Sequence, residues 1–269
     1  MGLGLRFLGL DWKAAWTDEF ATLVFSLGHS FRTIPLNQAI ASETLLQPLQ
    51  LEPRAGVTAV VQHLMQESTH PPFYFVLSHW WLQWFSPQSG LVSIWVARSL
   101  PAILGTMAIP AMFGFGWLAF GSRLVGHLAA AMMAVSPYGI YLAQEARHYT
   151  LAVLWVIASL SCLVVAVRSL RTHKPLPGWV GLSWIAVNAL GMATHYFFIL
   201  TLLAEGLVIL ECWVLAGREG HSEKLQQKFQ LPAFKLWSRT YAIAAGTLAG
   251  IAVWLPAWQG VYGNQLTDW

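Results

Sequence analysis

The sequence predicts an all-α, polytopic membrane protein, and three observations carry that prediction. The 269 residues include 15 Lys plus Arg and 12 Asp plus Glu, so that charged residues make up 10% of the chain, against roughly 25% in a soluble domain. Apolar residues make up 56% and the mean hydropathy is +0.53. Stretches without Asp, Glu, Lys or Arg also recur at about 20 residues, the length that crosses a hydrocarbon core of about 30 Å at about 1.5 Å per residue. The composition excludes a disordered chain, a collagen-like fibre and a disulfide-stapled secreted domain. The formal charge of +3 implies no nucleic-acid partner, because basic residues of a membrane protein mark its cytoplasmic side.

In chain order, Met1–Leu10 is too short to span and lacks a basic start followed by a cleavage site. It reads as the remnant of a first span whose beginning is absent. Residues 11–67 are more polar, with Asp11, Asp18, Glu19, Glu43, Glu52 and Glu67, and read as a long loop with short helices of its own; Ala55–Gln66 has an amphipathic helical pattern. Residues 68–97 carry no formal charge. Their strongly apolar part runs only from Phe73 to Phe85, about 20 Å of helix, and its Trp and Tyr side chains suit an interface. The reading is a juxtamembrane helix that does not cross, although basic-residue counting alone favours a crossing.

Charge-free windows at 99–122, 124–144 and 148–167 each predict one span. The stretch 178–217, interrupted only by Glu205 and Glu211, is long enough for two spans turning near His195-Tyr196, and a last span runs from about Thr240 to Trp258. The expectation is six full spans, with residues 1–97 as remnant plus outer loop and 98–269 as the helix bundle. Arg123, the group Arg168, Arg171 and Lys174, and the group Arg218, Lys224, Lys228, Lys235 and Arg239 fall on one side, which the positive-inside rule makes cytoplasmic. Arg98, Gln144-Glu145-Ala146-Arg147 and His195-Tyr196 then face outward. Cys162 and Cys212 show no metal or redox spacing and read as packing residues. Gly246 and Gly250 form a GxxxG pattern suited to close helix packing.

Several polar motifs are unusual in so apolar a chain, and each admits two readings. Thr17-Asp18-Glu19 opens a helix, where carboxylates suit the positive end of the dipole, or forms part of a site. His70-Pro71-Pro72 is a rigid helix entry or a ligand contact. Glu145 and Arg147 form an ion pair, or bind headgroups or substrate. Glu205, deep in its predicted span, reads as a packed and hydrogen-bonded carboxyl.

Taken in order, Gly4–Leu10, Trp16-Thr17-Asp18-Glu19, His70-Pro71-Pro72-Phe73-Tyr74, Ala97-Arg98-Ser99-Leu100-Pro101, Ser136-Pro137, Gln144–Tyr149 and Thr194-His195-Tyr196-Phe197 resemble the GT-C glycosyltransferases. The closest likeness is to the branch with protein O-mannosyltransferases, the lipid A aminoarabinose transferase and RgtA/B/C/D-like enzymes. The resemblance covers most of this chain but only the N-terminal part of such an enzyme, whose spans continue past a Trp-Leu-Pro like Trp254-Leu255-Pro256. It implies that 68–97 does not cross and that the Asp-Glu loop lies outside.

It further implies a sugar donor linked to polyprenyl phosphate and an acceptor that is a lipid, glycan or protein. The setting is an inner or plasma membrane with the active site on its outer face. Asp18 is then the expected base for the acceptor hydroxyl, and Glu19 and Glu145 orient substrates. His70, Arg98, Arg147, Tyr149, His195 and Tyr196 form the substrate-binding set, with the cations offsetting phosphate charge. A divalent cation, Mg or Mn, held by Asp18 and Glu145 is a further expectation. Two rival classes remain, a non-catalytic or truncated membrane subunit and, less favoured, a transporter.

Overall fold

The computed structural model describes residues 1–254 except 36, 53–54, 88–89 and 220–231. Among the described residues the chain is helical, and its only β pairing is an isolated antiparallel bridge between Gln50 and Leu91. Helices α1 (Gly2–Phe7), α2 (Thr17–Ser26), α3 (Ser42–Leu46), α4 (Val57–Glu67) and α5 (Phe73–Phe85) precede the helices of the bundle. These are α6 (Ile94–Phe120), α7 (Arg123–Val135), α8 (Pro137–Ala143), α9 (Tyr149–Arg171), α10 (Gly178–Thr194), α11 (Ile199–Glu219) and α12 (Pro232–Ala252).

Among the described residues three helical segments, Ile94–Phe120, Tyr149–Arg171 and Tyr196–Ala216, are long and apolar enough to cross a membrane. A fourth is reached if α7 and α8, bent by 58°, count as one span. Two of the windows expected to span fall outside this group for identifiable reasons. Helix α10 has 17 residues, just short of a full crossing, and α12 starts at Pro232 and takes in the charged Lys235 and Arg239. Lys224, Lys228, Leu255-Pro256 and the expected end of the last span at Trp258 lie outside the described residues.

The bend between α7 and α8 follows from Pro137, which lacks the N–H that would bond the carbonyl four residues earlier. That carbonyl belongs to Met133, and Arg6 of α1 donates to it instead at 2.8 Å. Arg6 also donates to the carbonyls of Ala134 at 3.1 Å and Gly2 at 3.0 Å, and it is fully buried. The Ser136 side chain caps the new helix by accepting from the Gly139 N–H. Helix α6 is likewise capped by Ser93, which accepts from Val96 N–H, and it ends at Gly121 in the left-handed conformation that closes helices (φ 67°).

Small residues set the helix spacing. A Cβ on Gly126 would lie 2.8 Å from the Phe113 carbonyl oxygen, so α6 and α7 touch there through glycine. At Gly246 a Cβ would meet Ile185 Cδ1 at 2.7 Å, and at Gly250 it would meet Ala189 Cβ at 3.3 Å. The GxxxG pattern is therefore the contact of α12 with α10.

The segment before α6 folds into a layer with its own core. Leu23 and Val24 of α2 and Leu27 just after it pack with Leu49, Leu51, Leu82, Val92, Ala97 and Ala146. The Leu51 N–H bonds the Gly90 carbonyl and the Val92 N–H bonds the Leu49 carbonyl, tying the loop to the entry of α6. Helix α5 has 13 residues and packs between α2, α4, α6 and α10, while Trp80, Trp84 and Phe85 stay exposed. It is too short to cross.

Candidate functional site

Five elements bring the polar motifs together at one end of the bundle: the start of α2, the segment entering α5, the start of α6, the α8–α9 turn and the end of α10. Glu19 and Arg98, far apart in sequence, meet in a two-pronged pair, with Nε to Oε1 at 2.8 Å and Nη2 to Oε2 at 2.6 Å. Both side chains are 1% exposed. The remaining Arg98 donors go to the carbonyls of Leu10 (2.6 Å), Lys13 (2.8 Å) and Ala14 (3.3 Å), and Glu19 also accepts from the Ala146 N–H at 2.7 Å. Every guanidinium nitrogen of Arg98 is therefore occupied within the protein. This pair holds α2, α6 and the α8–α9 turn together and offers no free face to a ligand, which differs from the substrate-binding and catalytic places the sequence reading assigns it.

Asp18, one residue earlier on α2, points the other way. Its carboxylate lies 3.3 Å from Arg147 Nη2, with the Asp18 side chain 45% exposed and that of Arg147 4% exposed. Arg147 also donates to the Asp18 carbonyl at 3.0 Å and Thr22 Oγ1 at 2.9 Å, and it reaches the Tyr149 hydroxyl at 3.4 Å. Its guanidinium lies 5.9 Å from the Trp16 ring and 5.4 Å from the Tyr149 ring, within cation–π range. Glu145 is buried and hydrogen-bonded to Tyr141. Asp18 and Glu145 thus have separate partners, and among the described residues no group of three His, Cys, Asp or Glu is placed to hold a metal ion.

Three histidines from three segments form a row behind Arg147. His70 and His148 ring centroids lie 5.5 Å apart, and His148 and His195 lie 4.6 Å apart. Tyr74 and Tyr149 flank His148 at 6.1 and 4.7 Å. Burial, with Arg147 and His195 nearby, lowers His70 to about 4, against an opposing pull from Asp18. Burial, with His195, Arg147 and His70 nearby, holds His148 well below the ordinary imidazole value, and burial with Arg147 lowers His195. The row is therefore neutral near pH 7. Both ring nitrogens of His148 and the Nε of Arg147 are buried without a hydrogen-bond partner, as are the Tyr74 hydroxyl and Thr150 Oγ1.

Tyr196 lies apart from this row, its ring packed edge-on toward Trp254 at 6.4 Å. Sequence reasoning missed His148 as a site residue because a histidine inside a longer motif gives no spacing signal. It also gave Arg6 no structural role at the α7–α8 break, although an arginine within an apolar run is a visible anomaly.

Next to the polar cluster an apolar groove of about 480 Å³ runs between α6 and α9. Leu104, Leu151 and Trp155 line one end of it, and the same three residues pack with Tyr74 and Leu100 beneath the histidine row. Ala111, Phe115 and Leu118 line it further along α6. At the bundle's other end Arg168 donates to the Ala119 carbonyl at 3.1 Å, Arg239 donates to the Leu176 carbonyl, and Arg123 lies over Trp117.

Deep in the bundle, Glu205 joins a polar network instead of a site. Ser159 Oγ lies 2.6 Å from Glu205 Oε1 and from Asn188 Oδ1, and Trp184 Nε1 donates to Ser159 at 2.9 Å and to Glu205 at 3.2 Å. Asn188 extends the network to Thr247 at 3.2 Å, so it ties α9, α10, α11 and α12.

Fold and site together define a protein whose described residues are helical, with three to four helices among them able to cross a membrane and a polar cluster at one end of the bundle. No family model matches the chain, and comparisons with curated proteins and with solved structures find no match.

Proposed function

We propose that this chain belongs to a membrane glycosyltransferase of the GT-C type, with six spans and the α1–α5 layer on the outer face, that moves a sugar from a polyprenyl-phosphate carrier to an acceptor hydroxyl. The observation that carries this reading is the juxtaposition of a half-exposed carboxylate, a buried arginine and three neutral imidazoles with an apolar groove between α6 and α9. A lipid-linked phosphosugar needs both halves: a groove in the hydrocarbon for the tail, and a polar end for phosphate and sugar.

Of the three carboxylates expected at the site, Asp18 alone combines exposure with a position beside Arg147, and it serves as the base. The acceptor oxygen bonds to the anomeric carbon while the bond from that carbon to the phosphate oxygen breaks. The acceptor's proton passes to Asp18, and the departing phosphate keeps the electron pair. Arg147 lies beside the site of that growing charge. Trp16, 42% exposed and facing Arg147, offers an aromatic face for a sugar ring. Glu19 and Arg98 act as positioning residues that hold Asp18 and the α8–α9 turn in register.

The test is sugar transfer from a polyprenyl-phosphate donor by the protein in nanodiscs, with Asp18→Asn alongside. Loss of about 100-fold or more in rate is expected of that variant with donor binding retained. Unchanged transfer sinks the assignment of Asp18, and donor binding without transfer by the wild type favours a non-catalytic subunit. Tags at Gly90 and His173 report the topology: opposite sides of the membrane are expected, and the same side overturns the three crossings, α6, α7–α8 and α9, between them.

A further inference from the structure

The histidine row is more than a transfer needs if its phosphate keeps one charge throughout. A phosphodiester donor carries one negative charge, whereas the phosphate monoester left behind carries close to two above a second pKa of about 6. The row adjoins the arginine expected to face that phosphate, and none of its rings has a carboxylate hydrogen-bonded to it. His70 contacts the Ser68 hydroxyl at 3.0 Å, and His195 accepts from the Phe197 N–H at 3.1 Å. His148, fully buried between them, has both ring nitrogens free. A neutral imidazole donates through one nitrogen and accepts through the other, so His148 has a donor and an acceptor unused beside its two neighbours.

The charged and titratable groups around the row are few. Arg147 lies on the α8–α9 turn, Tyr149 at the start of α9, Tyr74 on α5, and Asp18, paired with Arg147, on α2. Glu19 acts on Tyr74 from a distance and is itself closed off by Arg98. Among the described residues Asp18 favours a charged His70, and Arg147 opposes it.

We propose that the row His70–His148–His195 takes up one proton when a phosphate monoester seats beside Arg147, so that the site holds a released monoester differently from the diester it came from. The second negative charge supplies what the row lacks, an anion close enough to make imidazolium favourable. No bond is made or broken in this step; one proton moves from solvent to the row. The consequence is product retention that strengthens as pH falls toward the phosphate's own second pKa. This rests on the phosphate-linked donor of the proposed function.

Dodecyl phosphate and methyl dodecyl phosphate serve as monoester and diester probes on the whole protein in nanodiscs, titrated by calorimetry in buffers of different ionisation enthalpy. The expected result is uptake of about one proton per monoester, with affinity falling about tenfold per pH unit between about pH 7 and about pH 8.5. The diester should show little uptake and a flat profile. His148→Gln and His195→Gln should each flatten the monoester slope; His195 is partly exposed, so its variant keeps the test open if the buried His148 variant does not fold. Binding of both probes without proton uptake overturns the proton-coupled row and leaves the donor reading standing. Uptake that persists unchanged in both variants overturns the assignment to the row. Failure of both probes to bind overturns the phosphate-linked reading and this proposal with it.

Discussion

Replacing Glu19 with Gln separates a structural ion pair from a substrate-binding one. The variant leaves the Arg98 guanidinium buried at 1% exposure with its two-pronged carboxylate reduced to a neutral amide. Removing one partner of a buried pair costs about 3–5 kcal/mol, because an uncompensated charge stays out of water. The Ala146 N–H also faces a weaker acceptor. Arg98→Met alone should cost a similar amount by stranding Glu19 and by freeing the carbonyls of Leu10, Lys13 and Ala14. The double variant should be less destabilised than the sum of the singles by about 2 kcal/mol or more, since neither charge is then left without its partner. Denaturant unfolding of the protein in detergent, followed by tryptophan fluorescence, gives the four free energies of the cycle. If both single variants unfold within about 0.5 kcal/mol of the wild type and only ligand binding suffers, the pair is a substrate contact and the reasoning fails.

Arg6→Leu should destabilise by about 2–4 kcal/mol, because the Met133 and Ala134 carbonyls lose their donor at the Pro137 break; Pro137→Ala in the same chain should recover part of the loss, and a strictly additive thermal-shift cycle would refute the link. His70 is lowered from 6.5 to about 4, so the unfolded chain binds a proton that the folded one refuses. Stability should hold above about pH 6.5 and fall by about 3 kcal/mol as pH drops to about 4. His70→Asn should remove that part of the acid dependence in unfolding titrations, and an unchanged profile would contradict it. Glu205→Gln should be tolerated within about 1 kcal/mol, whereas Glu205→Leu removes the acceptor that Ser159 and Trp184 share and should cost about 1–3 kcal/mol by the same unfolding assay; equal effects would argue against a hydrogen-bonded network.

Helical class and the short α5 were legible because each depends on a local quantity. Apolar length and the Pro71-Pro72 and Ser86-Pro87 boundaries lie within the segment itself, and the helix runs over Phe73–Phe85 as the pattern predicts. The GxxxG contact was legible for the same reason. The 58° bend at Pro137 was only half legible. Proline announces a break, but the hydropathy window runs through it, and the donor that stabilises the break comes from α1 at the far end of the chain.

For the site, the sequence by itself determined which chemical groups exist and roughly which segments carry them: a carboxylate pair at 18 and 19, an arginine at 98, a basic-aromatic run at 147–149 and histidines at 70 and 195. Tertiary structure decided their partners. Glu19 and Asp18 are adjacent on α2, about 100° apart around a helix, so one faces the core and the other the cleft. Helix geometry foretells that split but not its sense. Only the packing of α6 against α2 brings Arg98 to Glu19 and leaves Asp18 to Arg147. The fully buried His148 is likewise given its place between His70 and His195 by contacts between segments far apart in the chain, and no spacing along the sequence encodes it.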